Sequence, residues 1–467
     1  MGDQNPAGRE TVSAAASPKV DLRPSDRPKI RLAELLGALS YALDMTEGQP
    51  AGHCVRCCWI GVNIGRQLGL PDADQTTLYY TLLLKDLGCS SNAARICQLY
   101  LTDDIEFKHD FKTIGDGLPQ VLRFVLSHTG LQTGLAERFM AMVNIVQNGG
   151  QIAKELIETR CQRGAQIARR LRFSEAVADG IRDLDEHWDG NGKPSNLRGE
   201  DISIFARIAL LAQVIDVFQT GGGREQALQE TLHRSGTWFD PALVASFERV
   251  ATRPDFWETL RSDRIEEAVY ALDPGRRVEL VDDDYFDDIA FAFAKIIDAK
   301  SPYTHGHSER VALFTDLITG ELGMSPDQRR WMRRAALLHD IGKLGVSNQI
   351  LDKPDKLDSR EWAAMQRHAE LSETILERIG PFRDMARVVG AHHERLDGNG
   401  YPRRLRGDEI RFETRIITTA DVFDALTADR PYRGPIPISK AFDIMAESVG
   451  PAIDPICFAA LKGAMAR

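Results

Sequence analysis

Six residues in the last third of the sequence have the side chains that a metal centre needs. They lie within 83 residues of one another, and they are His339, Asp340, His368, His392, His393 and Asp421. Imidazole nitrogens and carboxylate oxygens bind transition metals, and two such ions can activate a water and hold a phosphate ester. A single histidine is more often a packed or surface residue. Six candidate ligands this close together instead predict a buried pair of metal ions.

Local patterns indicate how these ligands would be positioned. His339 and Asp340 follow an apolar helical pattern and precede Gly342, so we expect them at the end of a helix. The two adjacent histidines at 392–393 precede the turn sequence LDGNG, which also suggests a helix end. Asp421 lies in the apolar helical stretch 416–426, where burying an unpaired carboxylate would be costly. Metal binding explains this carboxylate better than a hydrogen bond between helices.

The elements that must hold the ligands are predicted to be helices. Residues 288–299, 309–322 and 327–338 place apolar side chains at three- and four-residue intervals, and few segments alternate with period two. The chain has 467 residues, 43% of them hydrophobic and 27% charged, as expected for a globular protein of two or three domains. Residues 1–28 lack apolar periodicity and are predicted to be a disordered tail. We therefore expect an all-α protein.

Composition also limits the location and the partners. No apolar segment is long enough to span a bilayer, no secretory pattern begins the chain, and seven cysteines form no even disulfide framework. These features predict a cytoplasmic protein without membrane insertion. A formal net charge of −10 argues against binding a nucleic-acid polymer, which requires clustered lysine and arginine. A small phosphorylated ligand in a locally basic pocket remains compatible with this charge.

An internal repeat divides the chain. The string LKDLG at 84–88 matches LHDIG at 338–342 with an offset of 254, and DGNGKP at 189–194 matches DGNGYP at 397–402 with an offset of 208. The offsets differ by 46, so the first copy carries about 46 additional residues, which we expect around 97–150. We predict two related helical domains, 29–255 and 285–467, joined by a linker over 256–284.

The second copy resembles an HD-GYP domain, a branch of the HD metal-dependent phosphohydrolases. The matching strings are YTHGHSER at 303–310, HDIGK at 339–343, HHERLDGNGYP at 392–402, and ADVFDALT at 420–427 followed by DRPYR at 429–433. Together with His368 they cover essentially all of 285–467 in the order of the family. The resemblance implies two tandem HD-like helical bundle domains.

The resemblance also implies an activity and its ligands. Members of this family hydrolyse the bacterial second messenger cyclic di-GMP to pGpG or GMP. By position, the ligands of one metal ion would be His307, His339, Asp340 and Asp421. The ligands of the other would be Asp340, His368, His392 and His393, with Asp340 bridging. Iron or manganese fits this mixed ligand set, and the residue types do not choose between them.

The substrate contacts follow from the same resemblance. Asp340 and Lys343 would be catalytic, since a lysine there could balance phosphate charge or protonate the leaving oxygen. The residues expected to bind substrate are Lys343, Gly400, Tyr401, Pro402, Arg430 and Arg433. Arginine suits phosphate because its guanidinium can donate two parallel hydrogen bonds.

The first copy has lost most of these ligands. At the two offsets it has Lys85, Arg160, Leu184, Asp185 and Gln213 where the second copy has His339, His368, His392, His393 and Asp421. His53 and Asp86 remain, and Cys89 stands in place of Lys343. We expect this degenerate copy to bind no metal pair and to be regulatory or dimerising, although a purely structural remnant stays open.

Two alternatives remain at this stage. The enzyme could act on a related cyclic dinucleotide or on another phosphate ester, because the motifs define the metals better than the bases. The protein could instead be a signalling adaptor with little turnover that binds cyclic di-GMP or a partner such as a diguanylate cyclase. The intact ligand set in 285–467 favours an enzyme. A homodimer is compatible with either alternative.

Overall fold

The computed structural model describes residues 32–112, 118–131, 133–273, 282–429 and 434–467. Helices dominate these residues, and extended pairing within them is limited to three isolated bridges. The all-α expectation is therefore confirmed. The tail predicted over 1–28 lies outside the described residues, as do Arg430 and Arg433, two of the expected substrate contacts.

The helices of the first copy extend from residue 32 to residue 271. They are α1 (Leu32–Thr46), α2 (His53–Leu68), α3 (Asp72–Leu84), α4 (Ala93–Tyr100), α5 (Asp104–Phe111), α6 (Leu118–His128), α7 (Leu135–Arg170), α8 (Glu175–Arg182), α9 (Ile204–His233), α10 (Pro241–Ala251), α11 (Pro254–Leu260) and α12 (Ile265–Ala271). In α9, Gly223 interrupts the helical backbone.

The second copy follows the same plan with fewer helices. They are α13 (Asp283–Lys300), α14 (His307–Glu321), α15 (Pro326–Leu338), α16 (Asn348–Leu351), α17 (Ser359–Glu377), α18 (Arg383–Val389), α19 (Phe412–Thr427), α20 (Ile438–Ala446) and α21 (Pro455–Met465). Helix α14 packs against α15 and α19, as α2 packs against α3 and α9. The internal repeat of the sequence is thus a repeat of packing.

Capping residues fix the helices that carry the site. Helix α15 begins at a capping box, in which Ser325 accepts from the backbone of Gln328 and the Gln328 side chain accepts from Ser325. It ends at Leu338, so that His339 is its C-terminal cap. Helix α17, which carries His368, begins at a second capping box. Fixed helix ends hold the adjacent ligands at defined positions.

The additional residues of the first copy form α4, α5, α6 and the beginning of α7. Between the two blocks of the repeat, the α-helices of the second copy are the short α16, then α17 and α18. The additional helices have a small core of their own, composed of Ile96, Leu99, Tyr100, Phe107, Phe124, Val125, Ile145 and Ile152. The insertion forms one wall of a cavity in the first copy.

The main hydrophobic core continues from one copy into the other. Helix α1 packs against the 3₁₀ turn Ile341–Gly345, which follows the His-Asp pair. The segment 256–284, expected to be a linker, contains α12 and most of α11, whose apolar side chains pack onto the first copy. Buried Val269, for example, accepts a hydrogen bond from Tyr79 Oη at 3.3 Å. Residues 274–281 of this segment lie outside the described part.

Helix α9 is the one helix among the described residues that is long and apolar enough to cross a membrane by length and composition. Within the fold, 72% of its most apolar stretch is buried. Helices in the core of a globular domain have the same apolar character.

Candidate metal centre and its counterpart in the first copy

The structure brings all seven expected metal ligands together in two adjacent groups. In the first group, His307, His339 and Asp421 place one ligand atom each within 4.8 Å of one another. His307 Nε2 lies 3.5 Å from Asp421 Oδ1 and 3.3 Å from Asp340 Oδ2. His339 Nε2 lies 3.2 Å from the same Asp340 oxygen. These four residues are those expected to hold one ion.

The second group surrounds the other oxygen of Asp340. It contains Asp340, His368, His392 and His393, again with one ligand atom each within 4.8 Å. The Nε2 atoms of His368 and His392 lie 3.5 and 3.6 Å from Asp340 Oδ1. Because Oδ2 faces the first group and Oδ1 the second, the Asp340 carboxylate is positioned to bridge two ions.

Backbone hydrogen bonds orient three of the imidazole rings. In His339, His368 and His392, Nδ1 donates to the carbonyl oxygen of the residue three positions earlier, at 2.7, 2.6 and 2.6 Å. A carbonyl only accepts, so the proton of each neutral ring lies on Nδ1 and the Nε2 lone pair is free for a ligand bond. The ends of helices α15 and α18 and the middle of α17 provide these carbonyls.

Burial sets the protonation of the histidines. It lowers the pKa of His368 to about 3 and the pKa of His393 well below its usual range. Burial also disfavours the charged form of His307, but the carboxylates of Asp340 and Asp424 outweigh it and raise its pKa to about 9. For Asp340, burial is outweighed by His339 and Lys343, so its pKa lies well below the ordinary value. The neutral rings of His368 and His393 beside an ionised Asp340 favour metal binding, whereas His307 must lose its proton before its Nε2 can bind an ion.

Two buried polar atoms indicate that a cation belongs here. His339 Nε2 and Asp340 Oδ1 are fully enclosed, and neither has a hydrogen-bond partner among the described residues. Leaving such atoms unpaired in the interior is costly. The lone pair lies in the first group and the carboxylate oxygen in the second, and each is a donor that a divalent ion accepts, so the residues fit the metals that the HD motif implies.

An outer layer of residues orients the ligands. His307 Nδ1 donates to Asp424 Oδ2 at 2.7 Å, and Arg310 donates to both oxygens of Asp424 at 2.6 and 3.1 Å. Thr418 Oγ1 donates to the backbone oxygen of His392 at 2.7 Å. Such partners fix ring orientation and tune metal affinity.

Sequence reasoning assigned Asp424 and Thr418 no role. The signals were present: Asp424 follows Asp421 by one helical turn, and Asp216 matches Asp424 at the offset of 208. In the first copy, His53 and Arg56 bind Asp216 as His307 and Arg310 bind Asp424. The first copy has lost most metal ligands but keeps this His–Arg–Asp arrangement. The arrangement therefore stabilises the helical scaffold as well as the metal site.

The expected substrate contacts border an open cleft beside the metal ligands. The cleft has a volume of about 460 Å³ and is lined by 398–402, Arg404 and the α17 residues Ala363, Gln366, Arg367 and Glu370. Gly400, Tyr401 and Pro402 therefore lie together, and the Tyr401 ring is 4.8 Å from that of His393. Lys343 is not among the residues that line the cleft; its Nζ lies 2.5 Å from Asp340 Oδ2, within the metal-ligand group. Arg367 and Gln366 were not predicted as cleft residues. Their place on α17 marks a cleft only once the loop 398–402 packs opposite them, and the sequence of the helix does not reveal that packing.

Gly400 is required by the close approach of backbone in this loop. A Cβ atom at this position would lie 2.4 Å from Arg395 N and 2.6 Å from His393 O. Real Cβ atoms do not come this close to backbone atoms, so only glycine permits the loop to lie against the histidine pair.

In the first copy, an ammonium group lies where the counterparts of the first ligand group converge. Lys85 Nζ lies 2.5 Å from Asp86 Oδ2, 3.1 Å from His53 Nε2 and 3.0 Å from Gln213 Oε1. Asp86, His53 and Gln213 are the counterparts of Asp340, His307 and Asp421. All four side chains are buried. The positive charge is thus supplied by the chain itself, and a divalent ion would be repelled from this position.

The second metal position of the first copy is altered in a similar way. Arg160 forms an ion pair with Asp185, and these residues stand in place of His368 and His393. The remaining position is Leu184, which is buried and has no ligand atom. Near this position, His187 stacks on Trp238 with ring centroids 4.2 Å apart.

Comparisons with known proteins agree with this description. A family model described as HD domain matches residues 123–243 and 292–456, which fall in both copies. The 3'3'-cGAMP-specific phosphodiesterase 3 of Vibrio cholerae is 57% identical over 434 residues, covering 93% of this chain and 94% of the relative. A cyclic di-GMP phosphodiesterase of Thermotoga maritima is 39% identical over 34% of this chain and 44% of the relative.

A solved structure is also similar. The crystal structure of a cyclic GMP-AMP specific phosphodiesterase of Vibrio cholerae superposes with a TM-score of 0.64 at 52% sequence identity. The match covers 93% of this chain and 97% of the other. The two-copy architecture therefore extends over the full length of that structure.

Proposed function

Because the chain belongs to the HD domain family and is a cyclic-dinucleotide phosphodiesterase, we propose that it hydrolyses 3'3'-cGAMP at the metal centre of its second copy. The 57% identity to a 3'3'-cGAMP-specific relative across 93% of this chain carries the choice of substrate. This proposal revises the expectation of cyclic di-GMP, while the expected enzyme class is confirmed.

The residues that would hold metal are the two groups around Asp340. We assign His307, His339 and Asp421 to one ion, and His368, His392 and His393 to the other, with Asp340 shared. Iron and manganese are the proposed metals, since both accept imidazole together with carboxylate. When bound, two divalent ions supply a water of lowered pKa and positive charge beside the scissile phosphate.

Hydrolysis adds water across one phosphodiester and yields a linear dinucleotide with a terminal 5'-phosphate and a free 3'-hydroxyl. Lys343 is one-fifth exposed and lies beside Asp340, so its ammonium can balance phosphate charge or donate a proton to the departing oxygen. Tyr401 and its neighbours provide a wall against which a base can stack. The same step on the second phosphodiester would release mononucleotides.

We further propose that catalysis is confined to residues 285–467 and that 29–255 regulates it. The ammonium of Lys85 and the Arg160–Asp185 pair support this division, because each occupies a position that a metal ligand or metal would need. Of the seven ligand positions of the second copy, those of Asp86 and His53 keep the same residue in the first copy, which is too few to hold the same metal pair.

Cyclic di-GMP is the second candidate substrate. Relatives named as cyclic di-GMP phosphodiesterases match about a third of this chain, for example 35% identity over 36% of it for a response regulator of Xanthomonas campestris. The shorter coverage makes this candidate weaker than 3'3'-cGAMP.

Initial rates on the two dinucleotides test the substrate. The purified chain, supplied with Mn²⁺, should hydrolyse 3'3'-cGAMP with a higher kcat/KM than cyclic di-GMP. His339→Ala should reduce the rate at least 100-fold, because one ion loses a ligand, whereas the control His128→Ala on α6 should leave it unchanged. A higher kcat/KM for cyclic di-GMP would reject the substrate, and full activity of His339→Ala would reject the site.

A further inference from the structure

The first copy contains a cavity at the position where the second copy has its substrate cleft. Its volume is about 360 Å³, and its rim includes Asn191, Gly192 and Lys193. At the offset of 208 these residues correspond to 399–401, which line the cleft of the second copy. The loss of metal ligands has therefore not closed this part of the fold.

The insertion of the first copy forms one wall of the cavity. Tyr100 on α4 and Phe107 and Phe111 on α5 all line it. The rings of Tyr100 and Phe107 are stacked with centroids 4.3 Å apart, and those of Phe107 and Phe111 lie 6.0 Å apart. Phe111 is 43% exposed, which is unusual for a large apolar side chain beside a core. The insertion thus places Phe111 against an open space, with the largely buried rings of Phe107 and Tyr100 stacked behind it.

Cationic side chains lie on several sides of the same cavity. Lys108 and Lys112 come from α5 and the residue after it, Arg160 from α7, and Lys193 from the opposite rim. The acidic residues that line it are Glu47, paired with Lys112 at 2.7 Å, and Asp185, paired with Arg160. Lys193 is half-buried and makes no ion pair among the described residues. Lys108 is also paired, 3.7 Å from Glu47 and 3.9 Å from Asp104, so of the four basic residues of the lining Lys193 is the one without a carboxylate partner in the described part.

We propose that this cavity binds a purine nucleotide, with the base against the aromatic wall and the phosphate at Lys193. Aromatic faces and scattered cations together match a flat heterocycle that carries phosphate. Cavities of this size hold small-molecule ligands. The proposal does not depend on the catalytic assignment.

The same helix that lines the cavity contacts the catalytic copy. Buried Asp104, the first residue of α5, accepts from the backbone N–H of Asn348 at 2.7 Å and from Ser347 Oγ at 3.3 Å. It also lies 3.9 Å from Lys108, which lines the cavity. Ser347 follows Lys343 by four residues. A ligand that shifts α5 would therefore act on the segment next to the proposed catalytic lysine.

Equilibrium dialysis on the full chain tests the site. The chain carries His339→Ala and is kept in EDTA so that no probe is hydrolysed, and the probes are 3'3'-cGAMP, GMP and ATP, with oleate as the apolar comparison. Phe111→Ala and Lys193→Ala should each weaken the binding of a nucleotide about 10-fold. The matched controls Phe139→Ala and Lys154→Ala alter exposed residues of α7 outside the cavity and should change it less than twofold.

Three results would overturn the proposal. One is that none of the nucleotides binds below about 1 mM. Another is that the nucleotide binds equally well to Phe111→Ala and Lys193→Ala but loses affinity in Trp362→Ala, which would place it in the second copy near Tyr401. The third is that oleate alone binds. Action through α5 is tested separately on the unmutated chain. A nucleotide that binds the cavity and is not hydrolysed should change the turnover of 3'3'-cGAMP more than twofold. Unchanged turnover would refute the action through α5.

Discussion

Replacing Lys85 with methionine should destabilise the protein severely. Lys85 is buried and donates to Asp86 and Gln213, with His53 also in reach. Methionine keeps the length of the side chain but leaves the Asp86 carboxylate buried with its nearest cation gone. Removing one partner of a buried ion pair costs about 3–5 kcal/mol, because the remaining charge stays desolvated. We expect a loss of stability of this size.

The pH dependence of the stability loss tests whether the unpaired Asp86 carboxylate causes it. In the unmutated chain, burial tends to raise the pKa of Asp86, but Lys85 outweighs it and holds the pKa far below the ordinary value. Without the ammonium, burial raises this pKa above its unfolded value. The penalty of Lys85→Met is then complete above the raised pKa and shrinks as the pH falls through it, since a protonated carboxyl carries no charge. The stability difference should be smaller at pH 5 than at pH 8.

Thermal unfolding measured by circular dichroism checks this prediction. A loss of about 3–5 kcal/mol should lower Tm by roughly 10 °C at pH 8. Lys154→Met, at an exposed lysine of α7, is the matched control and should change Tm by about 1 °C or less. The double variant Lys85→Met with Asp86→Asn should recover part of the loss, because the unpaired charge is gone. A Tm for Lys85→Met within 2 °C of the unmutated chain, or equal shifts at both pH values, would refute the reasoning.

Three further predictions concern the second copy. Asp424→Asn removes the carboxylate that accepts the hydrogen bond from His307 Nδ1. The affinity for metal, measured by titration, should therefore fall about 10- to 100-fold. An unchanged affinity would contradict the role of Asp424. Gly342→Ala places a Cβ atom 2.0 Å from the backbone oxygen of His368. This clash should displace α17 and lower both Tm and turnover. Tm and turnover equal to those of the unmutated chain would show that the helix can shift freely. Trp362→Ala removes a 47% exposed ring beside the cleft. KM should rise several-fold while Tm stays unchanged. An unchanged KM would exclude Trp362 from substrate binding.

Much of the metal site could be predicted from sequence because its ligands lie at helix ends or on strongly periodic helices. His339 is the cap of α15, the pair His392 and His393 follows α18 closely, and Asp421 lies within α19, as the patterns indicated. These local features depend on residues that are near one another in the chain, so they can be read from the sequence. The residue types, histidine and aspartate, then indicate metal binding.

The parts that sequence could not give depend on contacts between distant segments. That Lys85 would meet Gln213 across 128 positions follows from the packing of α3 against α9 and not from any local pattern. The cavity of the first copy combines the insertion with the rim near Lys193, and no motif marks it. Segment 256–284 is predicted to be a linker because it lies between the two copies of the repeat, and the burial of the apolar side chains of α12 in it depends on tertiary packing that no repeat or motif marks.

The metal content of the purified chain tests the central claim most directly, namely that one copy holds the metals and the other replaces them with its own cations. Elemental analysis of the unmutated chain should give two divalent ions per chain, together with turnover of 3'3'-cGAMP. His392→Ala should lose metal and turnover, while Lys85→Met should gain no metal in its folded fraction. Two ions retained by His392→Ala, or more than two ions in the unmutated chain, would contradict this division between the copies.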